Sequence, residues 1–340
     1  MLMSNEVHYG DYLQLNKILG AQDPESFRRG EPAHDEMLFI VIHQAYELWF
    51  KQLLFETESV IRIMQQPSLN DNSPELQTVV HRLARCGTIL KVLVHQIDIM
   101  ETMTPMDFLD FRDMLRPASG FQSWQFKLLE ARLGLKFQHR YGQEYYISQL
   151  RQPEIDIIKT AEREPSLLQQ VNSWLERMPF GEGFWTGYRQ RYQESLADNE
   201  KSNLELFDRI FFGDALPEGP SGEGRSLSSP ACRAALFIML YRGYPILQLP
   251  FQVLNQLLEI DEQLSTWRYR HMSMVHRMIG TRIGTGGSTG KDYLGAALNK
   301  HHLFKEIAAL TSFLIERKRL PQLDADVERR LGFVSVSKNF

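Results

Sequence analysis

Cysteine is scarce in this sequence: 340 residues hold two, Cys86 and Cys232. Neither belongs to a CxxC pair, which argues against a zinc-thiolate site and a disulfide framework. Such usage suits a reducing compartment, and a cytoplasmic protein is expected. An excess of charge of one sign is missing too. Formal net charge is −4 at pH 7, so there is no basic footprint for nucleic acid or an anionic membrane. Hydrophobic runs are short: residues 234–241 form one of the longest, far below the roughly 20 residues that a membrane span needs. The opening MLMSNEVHYGDYLQ has no apolar stretch long enough for a signal peptide. Period-two alternation is never sustained enough for a convincing strand, and no repeat of solenoid length occurs. There is no HExxH, no acidic calcium loop, and no recognisable Ser-His-Asp or Cys-His context.

What is present is helical periodicity. Phe39, His43, Tyr46 and Phe50 recur at i, i+4, i+7 and i+11, one face of a helix. Pro32 is expected to open that helix, with Asp35 and Glu36 at its positive end. Residues 76–103 read as a second long helix. In TPMDFLDFRDML, Thr104 is the expected N-cap, Pro105 the first helical residue and Asp107 the reciprocal cap. Phe108 and Arg112 then share a face. Pro117 is expected to end this helix and Ser119 to cap the next, FQSWQFKLLEARL. Further helices are expected at 153–163, 166–177 and 188–210, and from Ser229-Pro230 to Tyr241. Pro245 and Pro250 should break the chain before a long helix over 251–278, and helices near 289–298 and 303–318 should finish the fold. The Gly-, Pro- and Ser-rich stretch 213–229 reads as an exposed loop. Roughly the last 20 residues, ending VSVSKNF, are expected to be poorly ordered. The sum is an all-α chain, a single large helical domain spanning 1–340.

Two histidines lie where chemistry is possible. His271 has Met274, Val275 and Met278 at +3, +4 and +7. A lone histidine on an apolar face is more often a satisfied core residue, but imidazole among soft methionines also suits the proximal side of a haem. His276 is an alternative ligand; it lies about 140° round the helix, so both should not face one pocket. His43, one turn after Phe39, is either a core histidine bonded to a carbonyl or a distal group facing a polar ligand. The loop GTRIGTGGSTG holds Gly280, Gly284, Gly286, Gly287 and Gly290. It fits neither the P-loop nor GxGxxG, and it follows a helix rather than a strand. Its glycines let backbone N–H groups and the Thr285 hydroxyl approach a small charged ligand. Arg112 is either a surface arginine or a fork for a carboxylate at the rim of an apolar pocket.

Four segments taken together resemble the tryptophan 2,3-dioxygenase family: YGDYLQL (9–15), HDEMLFIVIHQAYELWFKQ (34–52), DFRDMLRPASGFQSWQFKLLE (110–130) and WRYRHMSMVHRMIGTRIGTGGSTG (267–290). The resemblance implies long core helices around a pocket for haem b, and a homotetramer built as a dimer of dimers. It implies a dioxygenase that joins L-tryptophan and O2 into N-formyl-L-kynurenine, the first step of tryptophan degradation by the kynurenine pathway. His271 matches the iron ligand and Ser119 a residue near a haem propionate. The resemblance implies a catalytic pair in His43, matching the distal histidine beside the indole N–H, and Phe39, matching the wall against the indole. Phe108 lines the same slot, Arg112 matches the arginine that holds the substrate carboxylate, and Thr285 matches the contact to ammonium and carboxylate. Tyr9, Tyr12 and Leu13 match a segment that reaches the neighbouring subunit's pocket, so residues 1–20 are expected to form an exchanged arm. Thr289 departs from the serine common in the family, and Phe108 rules out a phenol at a position where some members have tyrosine. Residues 141–230 carry no matching motif.

Overall fold

In a computed structural model of the chain, residues 6–136, 148–178, 182–213, 225–282 and 302–332 are described. Among them there is no strand, in agreement with the all-α reading. Short helices α1 (Tyr9–Tyr12), α2 (Leu15–Ile18) and α3 (Glu25–Arg28) lead into α4 (Glu36–Met64), α5 (Pro74–Met100), α6 (Pro105–Arg112) and α7 (Trp124–Leu133). Then follow α8 (Gln152–Arg163), α9 (Leu167–Glu176), α10 (Glu182–Ser195), α11 (Asn203–Phe211), α12 (Ser229–Tyr241) and α13 (Gln248–Ile279). Two short helices, α14 (Lys305–Ala309) and α15 (Ala325–Leu331), come last.

Three long helices form the frame, with α5 packed along both α4 and α13. Helix α5 starts where the sequence chemistry dictates. The Ser73 hydroxyl accepts the Leu76 N–H at 3.2 Å, and Pro74 fills the first position, where no N–H is required. Its buried side chains, from Leu76 through Leu83 and Leu90 to Ile97, recur at helical spacing. At Gly87 the two helices approach closely: a Cβ there would come within 3.2 Å of Glu259 Cγ. Helix α13 ends at Gly280, whose φ of 59° and ψ of −125° suit glycine alone.

The boundaries correct several expectations. Helix α4 begins at Glu36, not Pro32. Arg112, not Pro117, ends α6. Ser119 caps only the single turn Gly120–Gln122, and Ser123 caps α7. The helix expected over 188–210 is two, α10 and α11, separated by a turn around Asp198–Glu200. Pro250 does not break the chain. It sits in the first turn of α13, where its missing N–H leaves no bond unmade. The stretch 303–318 holds one short helix followed by single turns. Near the carboxyl end α15 buries Leu331, while the VSVSKNF stretch lies outside the described residues. Most of the loop expected at 213–229 and the helix expected at 289–298 lie outside the described residues.

The buried side chains form two clusters. The larger spans α4, α5, α7 and α9 to α15. Its aromatic part gathers Trp185, Tyr188, Tyr192, Phe207, Phe211, Phe237 and Phe313, each burial being worth about 1.5–3 kcal/mol. The smaller cluster joins Ala33, Ile42, Met100, Met103, Phe111 and Met278, with Phe39, Tyr46, Phe108 and Met274 packed on it. Two polar devices hold α13 in register beside it. Buried Arg268 pairs with buried Glu130 of α7 at 2.7 Å. Buried Asp261 accepts the N–H groups of Leu303 and Phe304 at 2.9 and 3.2 Å, which ties the returning chain to α13.

Candidate active site

Helix α6 packs on α13, and both meet the amino-terminal half of α4 at the smaller cluster. Helix α6 is fixed by a full capping box: Thr104 accepts from the Asp107 N–H, and the Asp107 carboxylate accepts from Thr104, as its sequence implies. That cap sets the rotation of the three residues that follow. Phe108 and Phe111 stand edge to face with ring centroids 5.4 Å apart. Phe39 of α4 stacks on Phe108 at 5.7 Å and meets the Phe111 edge at 5.6 Å. Phe111, with 0% of its surface exposed, is the floor of this triangle, while Phe39 and Phe108 are half-buried walls. Arg112 follows immediately and is only 4% exposed. A guanidinium so deep must be engaged, and Arg112 is not without a partner.

His43 lies against Phe39, with centroids 4.1 Å apart. Its Nδ1 is 2.7 Å from the Phe39 carbonyl. A carbonyl only accepts, so Nδ1 bears the proton and donates, and Nε2 keeps a lone pair. Crowding by protein lowers the pKa of this ring; the Phe39 carbonyl and the Glu47 charge oppose the shift. On the other side His271 is pulled down to about 4, by desolvation and then by the nearby His43. Both rings are neutral at pH 7, and both border the smaller cluster, His43 through Phe39 and His271 through Met274 of its own helix. In the single chain His43 is exposed and His271 half-buried. His271 Nδ1 is buried with no hydrogen-bond partner among the described residues. Trp267, one turn earlier, lies parallel to the His271 ring, with centroids 5.2 Å apart and 3° between planes. His276 is exposed and lies about 140° round α13 from His271, so the two do not share a face.

The structure thus gathers Phe39, His43, Phe108, Arg112 and His271. Ser119 is half-buried on the chain between α6 and α7, where its hydroxyl accepts the Phe121 N–H at 3.3 Å. Thr285 lies outside the described residues. Tyr9 and Tyr12 are 71% and 75% exposed and Leu13 is half-buried; α1 packs on α2 and buries no residue. Two site residues escaped the sequence reading. Phe111 belongs to the same DFR triplet as Arg112, and Trp267 precedes His271 by four residues, a spacing that was available as a signal.

A neutral imidazole with a free lone pair, a second imidazole nearby, methionines and three phenylalanines form a donor set that fits a haem with room for a planar aromatic substrate. Comparison with known proteins decides the family. The family model described as tryptophan 2,3-dioxygenase matches residues 2–209 and 219–314. A protein of that name from Bdellovibrio bacteriovorus is 44% identical, over 96% of this chain and 98% of its own length. The chain belongs to the tryptophan 2,3-dioxygenase family. Relatives of the same name from Dictyostelium discoideum and Xenopus laevis are 42% and 41% identical, over 96% and 95% of this chain and 88% and 86% of their own lengths. The tryptophan 2,3-dioxygenase match takes in α4, α6 and α13, the helices that carry His43, Arg112 and His271.

Proposed function

We propose that this chain is a haem b-dependent oxidoreductase that inserts both atoms of O2 across the indole C2–C3 bond of L-tryptophan. The product is N-formyl-L-kynurenine, and the reaction opens tryptophan catabolism by the kynurenine pathway. Membership of the family supports the reaction. The observation that supports its placement is the convergence of α4, α6 and α13, which carry His43, Arg112 and His271, on the phenylalanine triangle.

When bound, haem b supplies the iron at which O2 is activated. His271 would hold that iron through its imidazole, and Ser119 would meet a propionate. The remaining work belongs to the chain. Phe39, Phe108 and Phe111 form an apolar slot for the indole and keep water from the reacting bond. His43 Nε2 can only accept while Nδ1 donates to Phe39, and the indole N–H can only donate; the two are complementary. Arg112 holds the substrate carboxylate through two parallel hydrogen bonds, with Thr285 assigned to the ammonium and carboxylate.

Helix α4 supports the homotetramer. Met37, Val41, Leu48 and Phe55 fall on one face of it and are all exposed in the single chain. The arm carrying Tyr9, Tyr12 and Leu13 would close the partner's pocket. Mixing two inactive variants, Tyr12→Ala and His271→Ala, should restore turnover in hybrids if the arm is exchanged and none if each arm serves its own subunit. Among the described residues no helix is long and apolar enough to cross a membrane. Both cysteines are free and buried, which supports the cytoplasm as the location.

The test is mass spectrometry of the product after turnover of L-tryptophan under 18O2. Two labelled atoms in one formylkynurenine molecule are expected. One labelled atom, or tryptophan bound and unchanged, would overturn the reading.

A further inference from the structure

Trp267 packs against four aromatic rings. It is wedged among Tyr46, at 6.1 Å, Phe50, at 6.4 Å, and Phe126, at 4.9 Å, with three different ring tilts. Its fourth neighbour is the His271 ring, laid flat upon it. Both residues stand on α13, one turn apart, so the backbone fixes their spacing.

The polar atoms of this stack are unusual. Trp267 Nε1 and His271 Nδ1 are both buried, and neither has a hydrogen-bond partner among the described residues. Two unpaired buried nitrogens on touching rings are costly, and native folds satisfy such groups with protein or with ordered water. Tyr46 offers the acceptor. Its hydroxyl donates to the Leu93 carbonyl at 2.7 Å, so its own oxygen keeps lone pairs. The Trp267 N–H lies close enough to that oxygen to favour its ionised form, yet outside hydrogen-bond geometry.

We propose that Trp267 and Tyr46 position the His271 imidazole: the indole fixes its plane, and a buried water joins His271 Nδ1–H to Trp267 Nε1–H and the Tyr46 oxygen. The water accepts two N–H bonds and donates to Tyr46, so every group is used in its allowed sense. The consequence falls on the opposite nitrogen. With Nδ1 holding the proton, Nε2 carries the lone pair, in a plane the indole does not let turn. Metal-bound histidines are commonly set in this way by what their second nitrogen meets.

The inference rests on His271 as the haem ligand, and its test separates the two. Trp267→Phe keeps the stacked ring and removes the N–H; Tyr46→Phe removes the acceptor; Trp267→Leu removes stack and N–H together. Resonance Raman spectra of the ferrous haem protein give the iron–histidine stretch. We expect a shift to lower frequency at unchanged width in Trp267→Phe and Tyr46→Phe, and a shift with broadening in Trp267→Leu. In the haem-free chain, 15N shifts of the His271 ring should report the Nδ1–H tautomer, giving way to a tautomer mixture in Trp267→Phe and Tyr46→Phe. Folded Trp267→Phe and Tyr46→Phe proteins with the wild-type band and the wild-type 15N shifts would overturn the positioning role alone. A wild-type protein that binds haem without an iron–histidine band that disappears in His271→Gly would overturn the ligand assignment, and the inference with it.

Discussion

Around α10, α11 and α12 the aromatic side chains of the larger cluster are shut away from water, and their hydroxyls end on carbonyls. Tyr188 donates to Phe313, Tyr192 to Ser312 and Tyr241 to Pro321. Where α4, α6 and α13 meet, the smaller cluster is made differently. Phe39, Phe108 and Met274 are only half-buried there, and two imidazoles with lowered pKa keep accessible edges. Among the described residues the first cluster is closed apart from Trp185 Nε1, which is buried without a partner, whereas the second leaves surface and lone pairs for something that is not protein. Residues of the first should matter through stability and those of the second through ligands.

That contrast can be broken most sharply at His271. His271→Ala should abolish the Soret band and turnover while the circular dichroism of the helices is kept, because no neighbour supplies an imidazole in that geometry. His276→Ala, on the exposed face, should retain both. If the Soret band survived in the first variant and vanished in the second, the site would have been assigned to the wrong face of α13.

A paired truncation sharpens it. Phe237→Ala, in the sealed cluster, should cost about 3–5 kcal/mol in denaturant unfolding, with normal KM in whatever protein remains folded. Phe39→Ala should cost only roughly 1–2 kcal/mol, since part of its surface is open already, yet should cripple turnover. Equal stability losses would erase the distinction.

The smallest effect concerns binding strength. Arg112→Lys keeps the charge and loses the planar fork. Turnover of L-tryptophan should fall by about 30- to 1000-fold in kcat/KM, or roughly 2–4 kcal/mol. Tryptamine, which has no carboxylate, should be a poor substrate for both proteins and change little between them. Unaltered kcat/KM for L-tryptophan in the variant would remove Arg112 from the carboxylate site.

How much of this was legible in the sequence follows the range of the interactions. The Thr104–Asp107 cap could be read because its chemistry is complete within four residues. Pro250 was misread because proline is disruptive inside a helix and harmless in its first turn, and spacing does not tell which applies. The periodicity through 188–210 hid the turn around Asp198–Glu200, since α10 and α11 each bury a face on the same cluster. For the site, residue patterns left both histidines undecided between core and ligand. Resemblance alone paired them with Arg112, because convergence of α4, α6 and α13 is a tertiary property. Phe111 is hidden for the same reason, since its role depends on which helix lies opposite, whereas Trp267 is legible in its spacing of four from His271 on one helix.

The contrast between the clusters is tested most directly by amide hydrogen exchange on the haem-free chain, then with haem b, then with haem b and L-tryptophan. Protection should rise in steps in residues 36–46, 105–112 and 267–279, and α10 to α12 should be unchanged. Protection that rises evenly along the chain, or mainly in α10 to α12, would contradict the assignment of the open cluster as the ligand site.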